Sequence, residues 1–191
     1  MKSLRIALVL GFSTIILFGV LYPMAMVGIG KAIPHQANGL PIEKDGKLIG
    51  FENVGQPFSS SQYFWSRPSA VGYDASSTGG SNLGPTNPDF LALVQGRIDT
   101  LIKYHPKLKV EDIPVEMITA SGGGLDPHIT KQGALIQVSR IAENRGLEVE
   151  ALNQLVEEHS ESPFLGLFGP SDRVNVLKLN LALDELAANQ N

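Results

Sequence analysis

Residues 6–30 read IALVLGFSTIILFGVLYPMAMVGIG, a run of 25 residues without a charged side chain. A helix of this length extends roughly 37 Å at ~1.5 Å per residue, enough to cross the ~30 Å hydrocarbon core of a bilayer. A secretory signal peptide is the competing interpretation, but the apolar core of a signal peptide usually has only about 7–15 residues. The length therefore favours a retained, single transmembrane helix.

The charges on either side of this run predict its orientation. Lys2 and Arg5 precede it, whereas Lys31 is the one basic residue between the run and Lys44. The positive-inside rule then places the N-terminus in the cytoplasm. We predict a cytoplasmic N-terminus of residues 1–5, a transmembrane helix of residues 6–30 and one extracytoplasmic domain of residues 31–191.

The composition excludes several classes of protein. Hydrophobic residues make up 43% of the 191-residue chain and charged residues 18%, which is atypical of a disordered protein or of a highly charged nucleic-acid binder. Three of the 15 basic residues precede residue 32, whereas all 19 acidic residues follow it, so residues 32–191 carry a net charge of −7 with His neutral. We therefore expect no nucleic-acid partner. Cysteine is absent, which excludes disulfides, thiolate metal sites and cysteine nucleophiles.

The residues after the apolar run predict a small α+β domain. Residues 48–51 and 115–119 are candidate strands. Asn87-Pro88-Asp89 is typical of a helix start, with a capping side chain, Pro at the first helical position and an acid in the first turn. Apolar spacing predicts helices over residues 88–104, 130–145, 148–158 and from Asn175 towards the C-terminus. The last segment also fits a strand by its alternating leucines, but its strong helix formers favour a helix.

The long stretch of residues 57–88 is rich in Ser, Gly, Asn and Pro and has neither helical nor strand periodicity. A loop of this length is uncommon in a small domain, and its five aromatic residues predict that it packs against the domain. Two glycine-rich stretches, residues 77–82 and 120–124, offer backbone N–H groups that can bind anions. Tight turns explain the same glycines, and no lysine adjoins either stretch.

No catalytic pattern stands out from the sequence. The histidines lack metal-ligand spacing, and neither a nucleotide-binding Gly-Lys-Ser/Thr loop nor a Gly-x-Ser-x-Gly elbow occurs. We predict a noncatalytic binding or assembly module with no bound metal or cofactor. The interface candidates are polar residues set in turn segments: Arg67, Asn82, Asp126 and His128. Each also has a structural explanation, since Asp126 can form a turn with Pro127 and Arg67 can stack on the neighbouring aromatic residues.

Four segments carry a resemblance to a known family. They read YFWSRPSA at residues 63–70, GGSNLGPTNP at 79–88, TASGGGLDPHI at 119–129 and VNVLKLNLALD at 174–184. Together with the apolar run and the length, they make the chain similar to the KdpC family, the C subunits of the bacterial Kdp high-affinity potassium-transporting P-type ATPase. The resemblance covers essentially the whole chain.

This resemblance implies a single-span accessory subunit in the bacterial inner membrane, working with a channel-like potassium-selecting subunit and a P-type ATPase subunit. The family is commonly described as a catalytic chaperone that raises the ATP affinity of the ATPase subunit, so ATP is expected through that partner. Because the predicted orientation leaves residues 1–5 in the cytoplasm, we expect such an effect to be allosteric. The alternative is a stand-alone, membrane-anchored envelope or solute-binding module whose long loop binds a ligand.

Overall fold

The computed structural model describes residues 2–163, 165–169 and 172–189, and it divides into two compact units, Met1–Leu48 and Ile49–Asn191. The first unit is dominated by one long apolar helix. The second combines helices with short strands and contains the hydrophobic core. This architecture confirms the predicted α+β class with one helix of membrane-spanning length.

The long helix runs from Lys2 to Ala32 as α1 (Lys2–Ile16), a π-helical turn (Leu17–Leu21) and α2 (Tyr22–Ala32). In the described part of the chain it is the one helix long and apolar enough to cross a membrane, with 31 residues and a mean hydropathy of 2.3. In the π-helical turn, the backbone N–H of Tyr22 donates to the carbonyl of Leu17, five residues earlier. Pro23 follows directly, and its ring would clash with the carbonyl four residues back in a regular α-helix, so the wider turn relieves that contact.

A short helix and a hairpin follow the long helix. They are α3 (Pro34–Ala37), β1 (Pro41–Lys44) and β2 (Lys47–Phe51), with β1 and β2 paired in a two-stranded sheet. The two connecting residues, Asp45 and Gly46, both have positive φ angles, 52° and 71°, as a type I′ hairpin turn requires. The strand predicted over residues 48–51 is confirmed.

Among its described residues, the second unit contains five α-helices and a three-stranded sheet. The helices are α4 (Pro88–Tyr104), α5 (Lys131–Leu135), α6 (Val138–Arg145), α7 (Val149–Glu158) and α8 (Val176–Asn189). The strands are β3 (His128–Thr130), β4 (Ser160–Glu161) and β5 (Arg173–Asn175), ordered β3-β5-β4 with antiparallel pairing. The largest fully buried hydrophobic side chains come from the long loop, the sheet and α6 to α8, and include Phe64, Ile129, Ile141, Leu152, Leu179 and Leu183. The predicted helices over 88–104, 148–158 and from Asn175 onward are confirmed.

The strand predicted over residues 115–119 is wrong. Val115–Met117 form a 3₁₀ turn after Pro114, in which the Met117 N–H donates to the Pro114 carbonyl. The Val115 side chain is 67% exposed, so the β-branched residue that suggested a strand faces solvent and does not pack on a sheet. A local turn therefore takes precedence over intrinsic strand propensity at this position.

The helix predicted over residues 130–145 is interrupted. It starts as predicted, because the Thr130 hydroxyl accepts from the Gly133 N–H. The chain then tightens at Gln137, whose N–H donates to the Ala134 carbonyl while its side-chain amide donates to the Gly133 carbonyl. The side chain thus takes the hydrogen bond that the helical backbone would have made, and α5 and α6 become separate helices.

The two glycine-rich stretches pack against each other through their backbones. The Gly79 N–H donates to the Gly123 carbonyl at 3.1 Å, and a Cβ built on Gly80 would lie 3.1 Å from the Gly122 carbonyl oxygen. Gly124 combines a φ of +71° with a position where a Cβ would lie 2.9 Å from the Gly79 carbonyl oxygen. Close packing explains Gly80, and close packing together with a left-handed backbone explains Gly124.

We expect Gly124→Ala to destabilise the chain by about 2 kcal/mol, because the added methyl group meets backbone and strains a left-handed conformation. The thermal midpoint should fall by roughly 4–8 °C, measured by circular dichroism on the full chain in detergent. Gly122→Ala is the matched control in the same loop, since a Cβ there meets nothing within 4 Å. Equal midpoints for the two variants would contradict the packing argument.

Candidate functional site

The most completely hydrogen-bonded polar group in the second unit is the guanidinium of Arg140 on α6. It is 4% exposed and lies 4.3 Å from the Trp65 ring, measured from its Cζ to the ring centroid. Its Nε donates to Nε2 of His105, and its terminal nitrogens donate to Gln137 and to loop carbonyls, those of Ser60, Ser61 and Tyr63. One side chain thereby ties the start of the long loop to α6.

Two side-chain amides complete this attachment. Oδ1 of Asn180 accepts from the Phe64 N–H at 2.8 Å, and its Nδ2 donates to the Phe64 carbonyl at 3.0 Å. Gln137 binds the backbone of Trp65 in the same way. Its Oε1 accepts from the Trp65 N–H at 2.7 Å, and its Nε2 donates to the Trp65 carbonyl at 3.3 Å. Buried backbone groups need partners, so these amides replace the neighbouring strand that the loop lacks.

The charge of Arg140 is held without a carboxylate. Among the described residues, its hydrogen-bond partners are carbonyl and amide oxygens and one imidazole nitrogen. Burial lowers the pKa of Arg140 to about 10, which leaves the side chain charged at neutral pH. The cation is therefore stabilised by oriented dipoles and by the face of Trp65.

His105 is the neutral partner of this cation. Its Nδ1 lies 2.8 Å from the Leu101 carbonyl and its Nε2 accepts from Arg140, so Nδ1 carries the proton. Burial lowers its pKa, the hydrogen bond to Leu101 partly offsets this, and Arg140 lowers the pKa further. A cavity of about 280 Å³ adjoins the pair and is also lined by Lys107 and Glu143.

Three of the four predicted interface residues meet in a second polar cluster. Nη1 of Arg67 donates to Oδ2 of Asp126 at 2.7 Å, while the His128 N–H donates to Oδ1 of Asp126 at 3.0 Å. Asp126 thus forms the turn expected at Pro127, and Nδ1 of His128 lies 3.5 Å from the same Oδ1. The three side chains border a cavity of about 300 Å³ together with Glu116 and Arg173.

Opposing effects set the protonation of Asp126. Burial would raise its pKa, but hydrogen bonds from His128 and from Arg67, with the positive charge of Arg67, lower the pKa to about 2. The carboxylate therefore stays ionised at every physiological pH. The cluster can present a fixed carboxylate and a guanidinium to a partner surface, which is geometry suited to recognition.

Two expectations, that Asn82 is an interface residue and that Arg67 stacks on an aromatic ring, are not supported by the contacts of this cluster. Asn82 is not among the described residues that line the cavity, and its distinguishing feature is a φ of 55° in the glycine-rich stretch. Arg67 pairs with Asp126, whereas the guanidinium groups over aromatic rings belong to Arg140 on Trp65 and Arg145 on Tyr63.

Arg140 was missed by the sequence reasoning, although the sequence contains a signal for it. Gln137 and Arg140 are polar, yet they share the inward face of the helical segment with Val138 and Ile141, which are buried. Polar residues at core positions indicate buried hydrogen bonds, and the aromatic run at residues 63–65 supplies the partner. No group of three or more His, Cys, Asp or Glu residues placed to hold a metal ion occurs within residues 2–163, 165–169 and 172–189.

The chain is similar to proteins of one known family over nearly its whole length. A family model described as KdpC, "K+-transporting ATPase, c chain", matches residues 4–185. This chain belongs to the KdpC family. Curated proteins named potassium-transporting ATPase KdpC subunit are 53% identical in Flavobacterium johnsoniae, over 97% of this chain and 100% of that protein, and 48% identical in Bacteroides fragilis, over 97% and 96%. One from Polaromonas naphthalenivorans is 50% identical, over 96% of this chain and 94% of its own length.

We expect Arg140→Lys to destabilise this KdpC-family chain by about 2–4 kcal/mol, because lysine keeps the charge but leaves buried carbonyls unpaired. Chemical unfolding followed by Trp65 fluorescence measures this directly, since Trp65 is the single tryptophan. Arg173→Lys is the control, because the Arg173 side chain that pairs with Glu161 is 45% exposed. Its unfolding free energy should change by no more than about 0.5 kcal/mol. A similar loss of unfolding free energy in both variants would contradict the stabilising role of the Arg140 guanidinium.

Acid should destabilise the second unit through His105. Its pKa is lower in the folded chain than the unfolded value of 6.5, so its contribution is fully present above pH 6.5 and is lost as the pH falls through the folded-state pKa. His105→Gln retains a donor and an acceptor without titrating, so its unfolding free energy should fall less between about pH 7.5 and 5. His159→Gln is the control, because Nδ1 of His159 makes the same kind of bond to the Leu155 carbonyl at 2.9 Å. An unchanged slope in His105→Gln would contradict this assignment.

Proposed function

We propose that this chain is a noncatalytic accessory subunit of a potassium-transporting ATPase, assembling with a channel-like potassium-selecting subunit and a P-type ATPase subunit. The observation that carries the proposal is that the KdpC family model spans both the apolar helix and the second unit. The most buried cation of that unit, Arg140, is occupied in holding the chain's own loop, which is a structural role.

The proposed topology is a single span in the bacterial inner membrane with the N-terminus in the cytoplasm. It rests on Lys2 and Arg5 before the apolar helix and on Lys31 being the one Lys or Arg between the apolar run and Lys44. In this orientation ATP binds to the partner ATPase subunit. The increase in ATP affinity described for the family then reaches the nucleotide site allosterically, through the span and the assembled subunits.

We further propose that the cluster of Arg67, Asp126 and His128 contacts a partner subunit, with Asn82 as a separate contact. Support comes from the cavity of about 300 Å³ beside the cluster and from the fixed charge of Asp126. Charged groups arranged in this way contribute register and specificity to an interface. The alternative function, a stand-alone anchored module, would require no ATPase partner.

Detergent pull-down of the tagged full chain from its native membrane tests the function. We expect larger membrane partners and potassium-stimulated ATPase activity in the eluate, and no such activity in the chain purified alone. Recovery of the chain alone, from a membrane where the partner subunits are demonstrably present, would favour the stand-alone module.

The same pull-down tests the cluster through His128→Ala. This change removes the imidazole but keeps the Arg67–Asp126 pair and the backbone donor, so loss of partner recovery would reflect the surface. His159→Ala, a half-buried histidine outside the cluster, should retain the partners. Equal recovery with both variants would contradict the proposed interface while leaving the subunit assignment intact.

A further inference from the structure

The β4–β5 connection contains the two most solvent-accessible large apolar side chains among the described residues, Leu165 and Leu167, and the exposed Phe168 lies beside them in sequence. Leu165 is 75% exposed, Leu167 81% and Phe168 63%. The most exposed large apolar side chain of the membrane-length helix, Met24, reaches 68%. The connection, residues 162–171, contains no charged residue at all. We call the described residues 165–169 of this connection the apolar tip.

The apolar tip is carried by a braced hairpin. Glu161 on β4 faces Arg173 on β5, and Nε of Arg173 donates to Oε2 of Glu161 at 2.6 Å. On its other side β5 pairs with β3, and the Asp172 carbonyl accepts from the Lys131 N–H at 2.6 Å. The strands on either side of the apolar tip are therefore fixed to the rest of the sheet.

Exposure of this kind has a cost that a partner can remove. Burying one fully exposed Leu or Phe side chain changes an association constant by roughly tenfold or more. Exposed apolar groups that lie next to each other mark interaction sites more often than isolated ones do. Three such residues lie within four positions, so a single apolar recess on a partner can accommodate them together.

The charge distribution favours a protein over a lipid surface as the occupant. Segments that bind bilayers combine apolar residues with Lys, Arg, Trp or Tyr, and residues 162–171 contain none of these. The flanking residues Glu161 and Asp172 are acidic, and residues 32–191 carry a net charge of −7, which an anionic lipid surface repels. An apolar recess on a protein carries no such penalty.

We propose that the apolar tip is a docking element that inserts Leu165, Leu167 and Phe168 into an apolar recess on a partner subunit of the ATPase complex. This inference rests on the proposed function for the existence of that partner. Residues 33–48 join the membrane-length helix covalently to the second unit. A partner embedded in the same membrane therefore meets the tip at a high effective concentration, and a small anchor suffices.

The absence of cysteine allows a direct test, because Leu167→Cys places the single thiol of the chain on the apolar tip. Its reaction rate with a membrane-impermeant maleimide is compared in the purified complex and in the full chain reconstituted alone in vesicles of phosphatidylethanolamine and phosphatidylglycerol. Val115→Cys is the matched control, since Val115 is 67% exposed on a different segment. We expect the thiol at position 167 to become unreactive in the complex and to stay reactive in the vesicles, with position 115 reactive in both.

A second variant measures the contribution of the tip to assembly. Leu167→Ser should weaken recovery of the partner subunits by roughly tenfold in a titrated pull-down, whereas Val115→Ser should leave it unchanged. A thiol at position 167 that stays reactive in an intact, active complex overturns the proposal, and so does one already protected in vesicles without partners, which would assign the tip to lipid. If the unmodified chain recovers no partner, the proposed function fails first, so the two failures are distinguishable.

Discussion

An unpaired N–H group on a buried guanidinium costs free energy, and the requirement to pair these groups organises the second unit around Arg140. The side chain reaches from α6 to the carbonyls of residues 60–63 and to His105 at the end of α4. Three parts of the chain that are distant in sequence are thereby fixed to one another. Because the partners are mostly backbone carbonyls, the arrangement depends on the course of the loop more than on the identity of its side chains.

The same requirement explains how a long irregular loop can lie in a core. Phe64 is 0% exposed although it belongs to no strand, and its backbone groups are paired with Asn180. Gln137 serves Trp65 in the same way, at the position where the predicted helix is interrupted. The hydrogen bonds that interrupt the helix, pair the backbone of the buried loop and stabilise the cation therefore form one connected network.

Features with a local cause were predictable from the sequence. The apolar helix, the cap at Asn87, the turn at Asp126 and the C-terminal helix follow from composition or from neighbouring residues. The features that were missed depend on long-range partners. The residues around Gln137 do not show that its amide will bind the backbone of Trp65, 72 residues away. The residues around Arg67 do not show that its guanidinium will bind Asp126, 59 residues away, and not an aromatic ring. Of the candidate site, sequence reasoning identified the turn residues Arg67, Asp126 and His128 but not the buried cation Arg140.

The π-helical turn at Leu17–Leu21 has a consequence for the surface of the apolar helix. A π-helical turn holds one more residue than an α-helical turn, so every later side chain is rotated by about 100° about the helix axis. In a regular α-helix Gly30 would lie almost directly above Gly19, but the extra residue moves it by roughly a quarter of a turn. The two halves of the helix are thus out of phase. Gly19 and Gly30, which a regular helix would place on one face, therefore lie on different faces of the helix.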